Sequence, residues 1–237
     1  MTFTLMPGKA FKGTISSAYE EVVIALDVGA KDYFSLNVKA KNAWPMVSLE
    51  TASGQIILEP SSFNSKKAKT SLVDPDLLDG QSLFARVSMQ AGHTGKFKLK
   101  LAGQGDLEEI RDDVIKFTNK QRRKRGLDAL EADKLLHQAA QGHVDDMEDV
   151  SQYLGHQSSD GRSLSDRIDE VGYQWRSIRE NAASGQLSAK QVVKGWMNSP
   201  GHRANILSDD VTEIGIGFAV DDLTKETYWI QKFAAPM

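Results

Sequence analysis

The chain has 237 residues, 40% apolar and 26% charged, with a formal net charge of −3 and no cysteine. Such a composition is globular, not disordered, and it excludes disulfides, thiol nucleophiles and cysteine-bound zinc. No apolar run approaches the roughly 20 residues of a membrane span, and the opening Met-Thr-Phe-Thr-Leu-Met-Pro shows no charged segment leading into an apolar one, so no signal peptide is visible.

From Gly8 to Leu101 the pattern is that of short strands. Tyr19–Leu26, Tyr33–Val38, Met46–Leu49, Gln55–Leu58, Leu83–Val87 and Phe97–Leu101 are rich in β-branched and aromatic residues. Turn signals separate them at Val28-Gly29, Ser53-Gly54, Asp79-Gly80 and Gly92 to Gly95. The last strand alternates: Phe97, Leu99 and Leu101 on one face, Lys96, Lys98 and Lys100 on the other, as in a half-solvated sheet. Strands at this regular spacing predict an all-β sandwich. The order of the strands, with Ser53-Gly54 closing a hairpin and a final Gly-Lys-Phe-Lys-Leu strand, resembles the pre-peptidase C-terminal family of bacterial secreted proteins over roughly residues 8–102.

Ala102-Gly-Gln-Gly105 reads as punctuation, after which the period becomes helical. Leu107, Ile110, Val114, Ile115 and Phe117 follow a candidate N-cap at Asp106, with Glu109 three residues on. Leu135, Leu136, Ala139, Ala140, His143 and Met147 make a second helix face. Leu164, Ile168 and Val171 make a third, closed by Gly172, and Ser188 caps a fourth that holds Val192, Val193 and Trp196. Two strands, Glu213–Val220 and Thr227–Phe233, finish the chain, which predicts an α+β layer domain. The expected organisation is therefore a β-sandwich over 1–104, net +3, and an α+β domain over 105–237, net −6. Neither half is basic enough to announce nucleic-acid binding.

The second domain holds four polar clusters: Gly142–Met147, Gly155–Gly161, Arg179–Ala182 and Gly195–Leu207. Within them His156, Glu180 and His202 are the candidate site. Imidazole nitrogens and a carboxylate oxygen suit zinc, and three protein ligands plus water make a catalytic metal centre, with Glu180 the candidate general base. Their separations are too long for local geometry, so convergence depends on the fold; satisfying backbone groups at loop ends is the alternative role. Ser158, Ser159 and Ser199 invite a serine-hydrolase reading, which no Gly-x-Ser-x-Gly elbow supports. His143 shares an apolar helix face and reads as a core histidine, with His137 on the flank. Lys120–Arg125 reads as a solvated helix end, where cations complement the dipole. Asn205 and Gln231, polar among apolar neighbours, are expected to reach the cleft or buried backbone groups.

In this order, before Thr212-Glu-Ile-Gly-Ile-Gly217 and Tyr228-Trp-Ile-Gln231, the clusters identify residues 107–236 as similar to the CAP superfamily (cysteine-rich secretory proteins, venom antigens and plant pathogenesis-related proteins), in its cysteine-free bacterial branch. The resemblance implies a three-layer α-β-α sandwich with a central cleft. It places His156 and His202 at the two cleft histidines, Glu180 and Asn181 at the Glu-Asn motif, and Asn205 and Gln231 nearby. A divalent metal such as zinc at His156 and His202 follows from the same resemblance. Many animal and plant members carry a second glutamate after the helical tryptophan; here Trp196 is followed by Met-Asn-Ser-Pro. Arg179 stands where relatives usually have glycine. The implied role is that of a secreted bacterial binding module for a lipid, glycan, peptide, protein or other small molecule. The rivals are a metal-assisted, peptidase-like hydrolase and a structural module with a vestigial cleft.

Overall fold

The computed structural model describes residues 4–17, 20–29, 32–41, 43–61, 65–78, 81–90, 93–149, 154–221 and 223–237. They form two compact units, residues 1–106 and 107–237.

The first unit is built from nine strands: β1 Thr4–Leu5, β2 Ala10–Ile15, β3 Val22–Leu26, β4 Tyr33–Ala40, β5 Pro45–Thr51, β6 Ile56–Ser61, β7 Lys67–Lys69, β8 Leu83–Met89 and β9 Gly95–Gly105. Sheet order is β1-β3-β8-β5-β6 in one layer and β2-β9-β4-β7 in the other. Alternation decides which side chains meet between the layers. Leu36 and Val38 of β4, Leu99 and Leu101 of β9, Val47 and Leu49 of β5, and Ala85 and Val87 of β8 are all fully buried in one cluster. Each of the leucines and valines contributes about 1.5–3 kcal/mol on burial. Ser53-Gly54 does close the β5–β6 hairpin, with Gly54 in the left-handed region at φ 83°. Tyr19, Asp79-Gly80 and Gly92 lie outside the described residues. Strands β1, β2 and β7 are additions to the sequence reading, and β9 runs on through Ala102-Gly-Gln-Gly105. That Gly-rich segment is therefore strand, not a break. Its residues pair with Tyr33 to Ser35 across a register shift.

The second unit contains α1 Leu107–Arg123, β10 Glu131–Ala132, α2 Lys134–Asp149, α3 Leu164–Glu170, β11 Trp175–Ser184, α4 Ala189–Asn198, α5 Pro200–Ile206, β12 Glu213–Val220 and β13 Thr227–Pro236. The sheet runs β10-β12-β13-β11, with α2 and α3 on one face and α1, α4 and α5 on the other: a three-layer α-β-α sandwich. Local chemistry sets the helix starts. Ser163 and Asp166 form a reciprocal capping box at α3, and Ser188 accepts the Gln191 N–H at α4. Strands β10 and β11 and helix α5 are additions to the expected element order. β11 holds Glu180, and α5 holds His202, which was expected in a polar loop.

Close approach of α2 to β12 depends on two glycines. A Cβ on Gly215 would lie 2.1 Å from the Leu136 carbonyl carbon, and one on Gly217 would lie 2.3 Å from the Ala140 carbonyl oxygen. With the helix this near, His137 and Gln141, one turn apart, reach over the strand's outer edge. β10 pairs with β12 only at Glu213 and Ile214. Beyond that point side chains replace a strand. His137 Nδ1 accepts the Ile216 N–H at 3.0 Å, and Arg111 donates to the Ile216 carbonyl at 3.1 Å. Gln141 donates to the Phe218 carbonyl at 3.0 Å and accepts the Phe218 N–H at 3.3 Å.

Candidate functional site

Register across β11 and β13 sets two groups of polar side chains back to back. Glu180 pairs with Lys232, and the next residues, Asn181 and Gln231, pair on the opposite face.

On the face covered by α2 and α3, the Glu180 carboxylate is buried and saturated. Lys232 Nζ lies 2.5 Å from Oε2, Arg167 donates at 3.1 Å to Oε2 and 3.3 Å to Oε1, and His156 Nδ1 lies 2.8 Å from Oε1. Arg167, brought from α3, also donates to the His156 carbonyl at 2.9 Å and the Arg162 carbonyl at 2.9 Å. One buried guanidinium thus fixes both the carboxylate and the loop that carries His156. That loop turns at Gly161, whose φ of 91° suits glycine, and Ser158 and Gly161 bond across it. His143 from α2 completes the layer, fully buried. Its Nε2 donates to the Gly155 carbonyl at 3.0 Å, which leaves Nδ1 to accept from the Ser158 hydroxyl at 3.4 Å.

On the other face a continuous hydrogen-bond chain ties α1 and α5 to the sheet. Asn181 donates to the Gln231 side-chain oxygen and the His202 carbonyl, both at 3.1 Å. Asn205 donates to the Glu180 carbonyl and the Asn181 side-chain oxygen, both at 2.9 Å, and Gln231 donates to the Thr118 hydroxyl at 2.7 Å. Asn181 and Gln231 were expected along the cleft. Both are fully buried, and the bonds above use their polar groups, so they support the site from beneath. Asn205, half-buried, holds α5 and hence His202 against β11.

The electrostatics follow from this packing. Burial pushes the Glu180 carboxyl up, but the His156 hydrogen bond and the Lys232 and Arg167 charges outweigh it and hold the pKa at about 2. The Glu180 hydrogen bond raises His156. Burial brings Lys232 down to about 8, against the pull of Glu180, so it remains an ammonium at neutral pH. Desolvation lowers His143 to about 4 and keeps it neutral. His202 is lowered by desolvation and then by the charge of His156, which makes the two rings electrostatic neighbours. Among the described residues, His156 is the exposed member of the group, its side chain 61% accessible.

Other expectations resolve in physical terms. Ser158 is buried between His143 and Arg167, and Ser159 bonds Asp146, while Ser199 stands at the N-cap of α5. His143 is the core histidine expected, yet it lies 3.9 Å from Glu180 and belongs to the same cluster. Within Lys120–Arg125, Arg122 is buried and donates to the carbonyls of Asp128, Ile206 and Ser208. Arg179 pairs with Asp210 at 2.6 Å. An open depression of about 660 Å³ lies along α1 and α2, lined by Arg111, His137 and Gln141 among others, with none of the Glu180 group in its wall.

Three ligands are needed for the implied metal centre, and the donor set does not fit. Both Glu180 oxygens are bonded, two of their partners are permanent or near-permanent cations, and those cations oppose a dication. Among the described residues no three His, Asp or Glu side chains converge as a metal site.

The sequence pattern described as "CAP: Cysteine-rich secretory protein family" matches residues 115–233. The chain is 38% identical over 120 residues to the uncharacterized protein YkwD of Bacillus subtilis (strain 168), covering 51% of this chain and 45% of YkwD. The alignment therefore spans less than half of that relative. An extracellular protein containing a SCP domain from Bacillus anthracis is 19% identical, with a TM-score of 0.49, covering 90% of this chain and 66% of that one. The pre-peptidase C-terminal domain of collagenase from Bacillus anthracis is 11% identical, with a TM-score of 0.35, covering 43% of this chain and 94% of that one. Among the described residues no helix is long and apolar enough to cross a membrane.

Proposed function

The chain belongs to the cysteine-rich secretory protein (CAP) family, and from that premise we propose that its second unit is a non-catalytic binding module with His156 and His202 at the contact surface. One observation carries the reading: the Glu180 carboxylate is buried, ion-paired to Lys232 and Arg167, and held at about pKa 2. A general base needs a free lone pair and a pKa near the working pH, and Glu180 has neither. Its role is to orient His156, whose ring it grips at Nδ1.

The cluster also sets the kind of group it recognises. Arg167 and Lys232 hold the buried carboxylate ionised, and its hydrogen bond raises the His156 pKa, favouring the protonated ring, in which both nitrogens are donors. Such a surface suits a ligand that presents hydrogen-bond acceptors, held by shape and a few oriented donors. Lipid, glycan, peptide and protein ligands with acceptor groups all meet that condition. The family's description as secretory supports a place of action outside the cytoplasm, which cell fractionation tests directly.

The reading is tested by assaying the full chain, without a polyhistidine tag, on peptide and ester substrates with added zinc, magnesium and calcium. No turnover is expected, and elemental analysis should find metal well below one equivalent. Turnover that disappears in both His156→Ala and His202→Ala, with both variants folded, would establish the hydrolase instead.

A further inference from the structure

The outer face of the β2-β9-β4-β7 sheet carries a charge pattern that the second unit's site does not use. Register places Lys12 of β2 opposite Lys98 of β9, Lys98 opposite Lys39 of β4, and Lys39 opposite Lys67 of β7. Four lysines thus form one unbroken row across all four strands, each exposed. Cross-strand partners share a face, so the neighbouring register positions belong to it too. They read Ala10, Lys100, Asn37 and Lys69 on one side of the row, and Thr14 opposite Lys96 on the other. No acidic residue occupies any of these positions. Like charges directly opposite one another cost a sheet stability, and alternating signs would relieve that cost at once. A row of four therefore calls for an anionic partner.

The shape of the face narrows the partner. Two depressions lie side by side on it and share Lys39 and Lys98. One, of about 450 Å³, is lined by Lys12, Thr14, Lys41 and Lys96 among others; the other, of about 310 Å³, extends to Lys100 and Ala102. Together they follow β9 from Lys96 to Ala102, about 20 Å at the rise of an extended strand. A planar bilayer would bridge such a trough without filling it. Single-stranded nucleic acid binds on aromatic stacking platforms, and the outward positions of this register carry Lys, Asn, Thr, Ser and Ala. All the cations on the face are lysine. Lysine acts as a point charge, without the bidentate fork of arginine, so recognition on this face rests on charge density and spacing. Lysines recur about 4.8 Å apart across strands and about 7 Å apart along β9, so a narrow chain with closely spaced charges meets several at once.

We propose that this lysine face of the first unit binds a flexible, linear phosphate polymer lying in the trough along β9. The test uses labelled long-chain sodium polyphosphate titrated into the full chain at low and at physiological salt. Binding should be retained at physiological salt and should weaken steeply as salt rises, because each neutralised phosphate releases a counterion. Lys12→Glu/Lys39→Glu makes the row alternate in sign. It should melt at or above the parent temperature and bind about tenfold or more weakly. Lys12→Gln/Lys39→Gln gives the same reading, should the charge-reversed variant fail to fold. Lys190→Glu/Lys194→Glu, an equal charge change on exposed positions of α4, should bind like the parent. No binding at physiological salt, or equal weakening by the α4 variant, overturns the proposal. Tighter binding to phosphatidylserine vesicles, polyglutamate or single-stranded DNA than to polyphosphate also overturns it, in favour of that class.

Discussion

Glu180 holds one negative charge between two buried positive ones, and His143 sits neutral beside them, so acid acts on this cluster in two stages. His143 has a pKa of about 4 against an ordinary 6.5; the unfolded chain takes up that proton first, and stability falls as pH drops from 6.5 towards 4. Glu180, depressed to about 2 from 4.5, contributes stability that is complete above 4.5 and is lost as pH falls through about 2. His156 runs the other way. Its raised pKa stabilises below 6.5, and that contribution disappears as pH rises through the folded value. Urea unfolding should therefore show a loss of about 3 kcal/mol between pH 6.5 and 4 from His143 alone. His143→Gln should flatten that limb, and an unchanged slope would show that the proton goes elsewhere. The sequence exposed only half of this cluster. His156, Glu180 and His202 stood out because polar residues clustered in a recognisable order. Arg167 and Lys232 did not, because a cation inside an amphipathic helix or an alternating strand reads as its solvent face. Only the pairing of β11 with β13 buries Lys232 opposite a carboxylate.

Elements with a strong period were readable: α1, α2 and α4 from their apolar stripes, β12 and β13 from β-branched and aromatic runs. Strand β11 was not, since Arg176, Arg179, Glu180 and Asn181 break its alternation; it is an edge strand whose polar side chains find partners on both faces. Helix α5 spans seven residues, too few for a period to show. Strands β2 and β7 gave little signal: β2 alternates Phe11, Gly13 and Ile15 with Ala10, Lys12 and Thr14, and β7 is three residues with lysine at both outward positions. In β12, Gly215 and Gly217 admit the backbone of α2. Gly215→Ala and Gly217→Ala should each destabilise the second unit by about 1–3 kcal/mol or more, since backbone, not a flexible side chain, must move. Differential scanning calorimetry reads this directly. Gly142→Ala, in α2 with nothing within 4 Å of the new methyl, should leave the melting temperature unchanged or raised. Equal effects at all three sites would refute the close-approach account.

At the scale of the whole chain, the change of period near Gly105 is real but marks no linker: β9 ends at Gly105 and α1 begins at Leu107. The clusters of the second unit, Ala140 with Ile230 and Leu136 with Ala234 among them, draw only on residues 107–237, as does the ion network around Glu180. Residues 107–237 expressed alone should melt cooperatively with the tertiary circular dichroism of a packed core. A fragment lacking that signal would show that the first unit is needed for folding. Where β12 runs past β10, Arg111, His137 and Gln141 occupy the positions that a further strand would take. Two copies of the protein therefore cannot extend one sheet across this border, for the donors and acceptors a neighbouring chain would need are already engaged. The closure relies on His137 remaining an acceptor, and desolvation lowers its pKa and favours that neutral form. What looks from inside the molecule like ordinary helix packing is, seen from another molecule, a barrier to strand-mediated self-association.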